Sequence, residues 1–203
     1  GLAIHAAKNY GVKVIAVTLS EQQASWGQES VVREGLSDLV QIRYQDYRDV
    51  PETGFDRISS IGLTEHIGAA NYPAYFSFLR SRLKPQGRLL NHCITRTDTH
   101  QRTAYKSGFI NRYIFPDGEL VPVGKLIAPM EDAGWEVRHE ENLREHYALT
   151  LMHWSRNLEE HWDEAVAEVG VGKARVWKLY LAASRLGFER NMIQLHQVLL
   201  ANP

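Results

Sequence analysis

The 203-residue sequence predicts an α/β fold built on a parallel, doubly wound sheet. Three observations carry that prediction. Apolar, β-branched runs alternate with helical stretches as far as Ile94. The intervals between paired runs are long enough for the crossovers that parallel strands need. The run Ile58 to Ile61 ends at Gly62, and the polar Glu65-His66 pair follows at once. In an open α/β sheet, ligands bind at the carboxyl ends of such strands.

Gly1 to Tyr10 reads as a helix ended by Gly11. Lys13 to Thr18 is a strand of β-branched residues. Ser20-Glu-Gln-Gln23 is a capping-box pattern that opens a helix running to about Glu34 and stopping at Gly35. Leu39 to Tyr44 alternates as a second strand. Gln45 to Asp49 is a polar loop, and Gly54 precedes a third strand, Phe55 to Ile61. Pro73 to Leu83 is helical, with Tyr75, Phe76, Leu79 and Leu83 on one stripe. Lys84 to Gly87 is a turn, and Arg88 to Ile94 is a fourth strand. Thr95 to Ser107 is polar, and Phe109 to Phe115 is aromatic-rich before the turn Pro116-Asp117-Gly118. Leu126 to Asp132 reads as a helix and Trp135 to Asn142 as a strand. His146 to Val169 reads as one long helix, Ala174 to Phe188 as a second, and Met192 to Leu200 as a closing strand.

No repeat or linker divides this pattern, so a single domain over residues 1–203 is expected. The chain is 44% hydrophobic, enough for a real core. With 23 basic and 24 acidic residues the net charge is −1, which gives no electrostatic case for nucleic acid. No run of Lys and Arg along the sequence reads as a lipid-headgroup patch. Cys93 stands alone, so no internal disulfide forms. The amino terminus has no signal-peptide architecture. It opens inside a helix without an initiator Met, as a fragment would. The expectation is a sheet lacking its first strand and glycine-rich loop in this chain.

Several segments, in order, resemble one family. They are Val17 to Gln23, Gln45 to Asp49, Phe55 to Gly62 with Glu65-His66, Tyr113 to Gly118, Tyr147 to Met152, and Ile193 to Gln197. The set resembles the cyclopropane-fatty-acyl-phospholipid synthases, a group that includes the mycolic acid cyclopropane synthases. The resemblance implies a Rossmann-like class I methyltransferase fold with helical lid insertions. It implies S-adenosylmethionine as cofactor and an unsaturated acyl chain of a phospholipid as substrate. The product is a cyclopropane or a methyl-branched chain. By resemblance, Glu65, His92, Ile94 through its backbone, and Tyr147 hold a bound bicarbonate that acts as the base. Thr18, Leu19, Ser20 and Gln23, with Gln45, Asp46 and Tyr47, fall where the family contacts the cofactor.

The residue types suit that chemistry. An anion needs donors, and His92 and Tyr147 supply them. Glu65, an acid beside an anion, must share a proton with it or raise its basicity. A carbocation needs a dry, apolar surround. Phe109, Tyr113, Phe115, Leu149 and Met152 are candidates for it, and each is equally readable as ordinary core. Asp46 can accept from an adenine amino group and Tyr47 can stack on the ring. Taken locally, Glu65 also reads as a helix cap and His66 as packing on a neighbouring loop.

Other signals carry no chemistry. Adjacent strand residues point to opposite faces, so His92 and Cys93 cannot pair as base and nucleophile. Cys93 reads as a small buried residue. His146, His153 and His161 are too far apart along a helix for one metal ion, so no metal is expected. Ser184 stands where many family members carry a cysteine, and a helical serine without a base is a poor nucleophile. The expected partner is a membrane phospholipid met peripherally from the cytoplasm, with a homodimer as the expected assembly. A small-molecule N-methyltransferase on the same scaffold and a non-catalytic lipid-binding remnant are the rival readings.

Overall fold

A computed structural model describes residues 1–97 and 108–203. The chain divides into two compact units, Gly1–Glu52 and Thr53–Pro203. Most of the polar stretch expected over Thr95 to Ser107 lies outside the described residues.

The first unit contains α1 (Leu2–Tyr10), β1 (Val14–Thr18), α2 (Glu21–Arg33) and β2 (Val40–Tyr44). Gly11 ends α1 at φ 64°, a left-handed position that costs glycine little. Strands β1 and β2 pair in parallel, from Val14 opposite Val40 to Thr18 opposite Tyr44. Helix α2 is their crossover. Ala7, Val31 and Val40 form the unit's buried centre, with Ile4, Val14 and Ile42 packed around them. A Cβ on Gly27 would lie 2.9 Å from the Ile42 side chain, so glycine permits the close approach of helix to strand. Ser20 caps α2 by accepting from the Gln23 N–H at 3.3 Å. The return half of the box is replaced, because the Gln23 carbonyl oxygen accepts from the Thr18 hydroxyl.

The second unit contains β3 (Phe55–Ile61), α3 (Tyr72–Arg82), β4 (Leu83–Arg96), α4 (Phe109–Tyr113), α5 (Val123–Asp132), β5 (Glu136–Asn142), α6 (Arg144–Glu160), α7 (Trp162–Glu189) and β6 (Ile193–Ala201). The sheet order is β3-β4-β6-β5. Strands β3 and β4 are parallel, whereas β6 runs antiparallel to both β4 and β5. On one face of this sheet, Tyr75 and Phe76 of α3 are buried, and the Tyr75 hydroxyl donates to Ser60 at 2.6 Å. On the other, Leu195 packs with Ala148 and Leu151 of α6 and with Leu181 and Phe188 of α7.

Two expected boundaries move. Strand β4 begins at Leu83, not after the Lys84–Gly87 turn. Gln86 at φ 63° makes a local irregularity, and its N–H and the Gly87 carbonyl both pair with Asn202. The long helix from His146 breaks after Glu160 and restarts at Trp162. Glu159 and Glu160 stand at a helix carboxyl end, where the dipole disfavours anions. Asp163 and Glu164 occupy the first turn of the new helix, where it favours them. Helix α7 then runs through a second break at Gly170, φ 79° and ψ 154°, to Glu189.

Candidate functional site

At the carboxyl end of β3, Gly62 turns the chain at φ 64° and its N–H donates to the His92 carbonyl at 2.9 Å. Glu65 is thereby brought against β4. Its Oε1 accepts from the backbone N–H of Ile94 at 2.8 Å, and the Thr64 hydroxyl lies 3.4 Å from Oε2. The Glu65 carbonyl accepts from the Glu119 N–H at 2.8 Å. Glu65 is buried, 7% exposed, and it caps no helix, since the helix α3 that follows has no side-chain cap. Burial pushes its carboxyl above the usual carboxylate range, against the pull of the Ile94 N–H. His66 is exposed and its ring lies 5.2 Å from that of Phe115, the neighbouring-loop packing that its local reading describes.

His92 and Ile94 are two apart on one strand and share a face. The Gln197 side-chain nitrogen, directly across on β6, lies 3.0 Å from His92 Nδ1. An amide nitrogen only donates, so Nδ1 accepts and the ring proton sits on Nε2. Burial lowers the His92 pKa, which keeps the ring neutral. Cys93 faces the other way, 2% exposed, and burial pushes its thiol up to about 12.

Ile94 and Tyr147 both pack against the core formed by α6, α7 and β6. The Tyr147 ring meets Phe188 at 4.9 Å and Trp154 at 5.9 Å, both edge-on. Its phenol is pushed up to about 12, chiefly by burial and then by the charges of Tyr180 and Glu65. Glu65 and Ile94 are joined directly. His92 shares the strand face of Ile94, and its ring is bonded to Gln197 and to neither Glu65 nor Tyr147.

Sequence reasoning passed over Tyr180. It stands one helical turn before Ser184 and packs against the same buried cluster as Ile94 and Tyr147. Its ring contacts Phe115 at 5.9 Å and Trp177 at 5.4 Å. The available signal was Ser184 itself, whose i−4 neighbour on a helix must share its face. Gln197 lay inside a segment already singled out, but its role depends on strand register. Two expected lining residues are displaced. Leu149, 56% exposed, and Met152 border an outer groove of about 430 Å³ with Arg144, Arg185 and Glu189. They sit one residue on from the buried positions Ala148 and Leu151, about 100° around the helix, so they leave the buried face.

In the first unit, the candidate cofactor residues gather at one edge. Thr18 and Tyr44 end paired strands, and the Gln45 N–H donates to the Thr18 carbonyl at 3.1 Å. Thr18, Leu19, Ser20 and Gln23 therefore lie beside Gln45, Asp46 and Tyr47, at the carboxyl ends of parallel strands. Leu19 is 67% exposed. The Asp46 carboxyl is held low by Arg48, which donates to both its oxygens at 2.7 and 2.9 Å. Each carboxylate oxygen accepts more than one donor, so the pair leaves capacity for another.

The family model for mycolic acid cyclopropane synthetase matches residues 1–198. The chain belongs to that family. A Mycobacterium tuberculosis protein described as a "probable fatty acid methyltransferase" is 60% identical over 199 residues, covering 98% of this chain and 46% of its own length. The cyclopropane-fatty-acyl-phospholipid synthase of Escherichia coli K12 is 37% identical over 201 residues, covering 99% of this chain and 50% of its own. This member of the family thus spans about half the length of the curated relatives it matches. The crystal structure of mycolic acid cyclopropane synthase CmaA1 complexed with SAH and CTAB superposes with a TM-score of 0.87 at 28% identity. That match covers 98% of this chain and 73% of the other. The fold is the α/β, Rossmann-like fold of class I methyltransferases that the family resemblance implies.

Proposed function

We propose that the protein transfers a methyl group from S-adenosylmethionine to the double bond of an unsaturated acyl chain of a phospholipid, closing a cyclopropane with bound bicarbonate as base. The observation that carries this reading is the Glu65 carboxyl, buried after the carboxyl end of β3 and held on the Ile94 N–H at 2.8 Å. When bound, S-adenosylmethionine offers the methyl group, and bicarbonate takes the proton whose loss closes the ring.

The chain's own residues suit a small anion. Burial favours the protonated form of Glu65, the neutral form of His92 and the protonated form of Tyr147. The His92 ring and the Tyr147 hydroxyl are donors for such an anion, and a carboxyl pushed upward by burial can share a proton with it. A donor set of this kind holds a base in place while leaving it basic. Ile94, Tyr180 and Phe115 supply apolar surface that keeps water from a developing carbocation. The edge formed by Thr18, Leu19, Ser20, Gln23, Gln45, Asp46 and Tyr47 is the proposed holder of the cofactor's ribose and adenine, by hydroxyl and amide hydrogen bonds and by stacking.

The test is mass spectrometry of an unsaturated phospholipid incubated with the full-length protein and S-adenosylmethionine. The expected product gains one CH₂ unit and resists hydrogenation. A hydrogenation-sensitive product would move the reading to a methyl-branched chain. Methylation of amines but not of vesicles would replace it with an N-methyltransferase.

A further inference from the structure

We propose that the outer face of the carboxyl half of α7 is a docking surface for an anionic phospholipid bilayer, a proposal that rests on the acyl-chain reading above. Val171, Arg175, Leu179, Ala182, Leu186 and Arg190 recur at intervals of three and four, so they share one helix face. All six are exposed, with Leu179 at 55% and Leu186 at 46%. The opposite face buries Ala174, Leu181 and Phe188, seven residues apart. A face meant for water would carry carboxylates and amides; this one carries aliphatics and arginines.

The charge on this segment is one-sided. From Val171 to Arg190 there are Lys173, Arg175, Lys178, Arg185 and Arg190 against a single carboxylate, Glu189. Glu189 is taken by Arg185 at 2.7 Å, and Lys178 pairs with Glu159 at 3.0 Å. Lys173, Arg175 and Arg190 have no ion-pair partner among the described residues. The acids Glu159, Glu160, Asp163, Glu164 and Glu168 all lie before the break at Gly170, which gives them a different axis. The chain's net charge is only −1, so the cations are gathered locally. Along the sequence these residues are scattered; helical winding brings Arg175 and Arg190 onto the aliphatic stripe, with Lys178 and Arg185 along one edge of it.

This pattern complements an anionic bilayer. The stripe is roughly 28 Å long at the α-helical rise. An amphipathic helix of this kind lies in the interface with its aliphatic side chains roughly 5–10 Å deep. Arginine stems follow them while the guanidiniums reach back to the phosphates. Tyr180, on the inner side of the same helix, faces the proposed acyl site. One helix thus separates the leaflet from the place where its acyl chain would react.

The experiment is flotation of the full-length protein with vesicles of phosphatidylglycerol and phosphatidylcholine, and with phosphatidylcholine alone. Binding to the anionic vesicles is expected, weakened by added salt. In the double variant Leu179→Glu, Leu186→Glu, vesicle binding should fall about tenfold or more. Its methyl transfer to detergent-dispersed phospholipid, and its melting temperature, should match the parent's. Equal vesicle binding by the variant would overturn the proposal. So would a change in native mass on light scattering, which would make the face a contact between copies. Slow hydrogen exchange over 171–190 that vesicles leave unchanged would overturn it too, since another segment would cover the face. Should the variant lose vesicle binding while neither protein methylates lipid, the surface stands and the acyl-chain reading fails.

Discussion

The Glu65 carboxylate and the Ile94 backbone N–H meet at 2.8 Å across the carboxyl end of the parallel β3–β4 pair. An acid that follows one strand thus satisfies a donor of the next, and the bond is buried. The Ile94 N–H has a single acceptor to lose, which makes this pair the most direct test of the site.

Glu65→Ala leaves that N–H without its partner and should cost about 1–3 kcal/mol of stability. Glu65→Gln keeps an acceptor and should melt close to the parent, yet lose about 10²–10⁴-fold in kcat, because the shared proton is gone. Urea denaturation and steady-state kinetics on both variants check this. Equal activity of Gln and Glu at position 65 would remove the carboxyl from the chemistry.

Removing the Tyr147 hydroxyl should cost rate without cost in fold. The ring contacts with Phe188 and Trp154 survive in Tyr147→Phe, so the melting temperature should hold. The lost donor should lower kcat by about 10²–10³-fold. Tyr180→Phe should lower it less, since Tyr180 packs against the same cluster as Tyr147 from the neighbouring helix.

Acid should destabilise the protein through two histidines. Burial lowers the pKa of His92 and of His196, and Glu140 opposes the shift at His196. Each therefore contributes stability that is complete above its unfolded value near 6.5 and is lost as pH falls through the folded value. Glu65 has the opposite sign. Its raised pKa contributes stability that is complete below its unfolded value near 4.3 and lost as pH rises through the folded one. His196 is 4% exposed, 2.7 Å from the Thr95 hydroxyl and 3.5 Å from Glu140, so it ties β4, β6 and β5 together. His196→Gln should flatten the acid limb of stability measured by urea denaturation as pH falls below about 6.5. An unchanged slope would locate the acid sensitivity elsewhere.

Gly134 should resist substitution. It sits at φ 83°, and an added Cβ would lie 2.5 Å from an Arg80 nitrogen. Arg80 donates to the Ala133 carbonyl at 3.2 Å and to Asn202 at 2.9 Å, joining α3 to the end of β6. Gly134→Ala combines left-handed strain with a disturbed guanidinium and should cost about 1–3 kcal/mol, read as a lowered melting temperature.

The sequence by itself determined the order of elements, the α/β class and the identity of Glu65, His92, Ile94 and Tyr147 as candidates. Those facts are local: strand and helix periods, glycine turns and short ordered segments are written within a few residues of one another. Tertiary structure alone decided what depends on register and on winding. Gln197 reaches His92 only because β6 is antiparallel to β4 with those two positions opposed. Tyr180 joins Tyr147 only because α6 and α7 pack on the same sheet face. Leu149 and Met152 leave the buried face, and Arg175 and Arg190 share a stripe with Leu179 and Leu186, because a residue's place on a helix is an angle that single-sequence reading does not orient. A hydrogen bond between residues far apart in the chain needs a fold before it has a length.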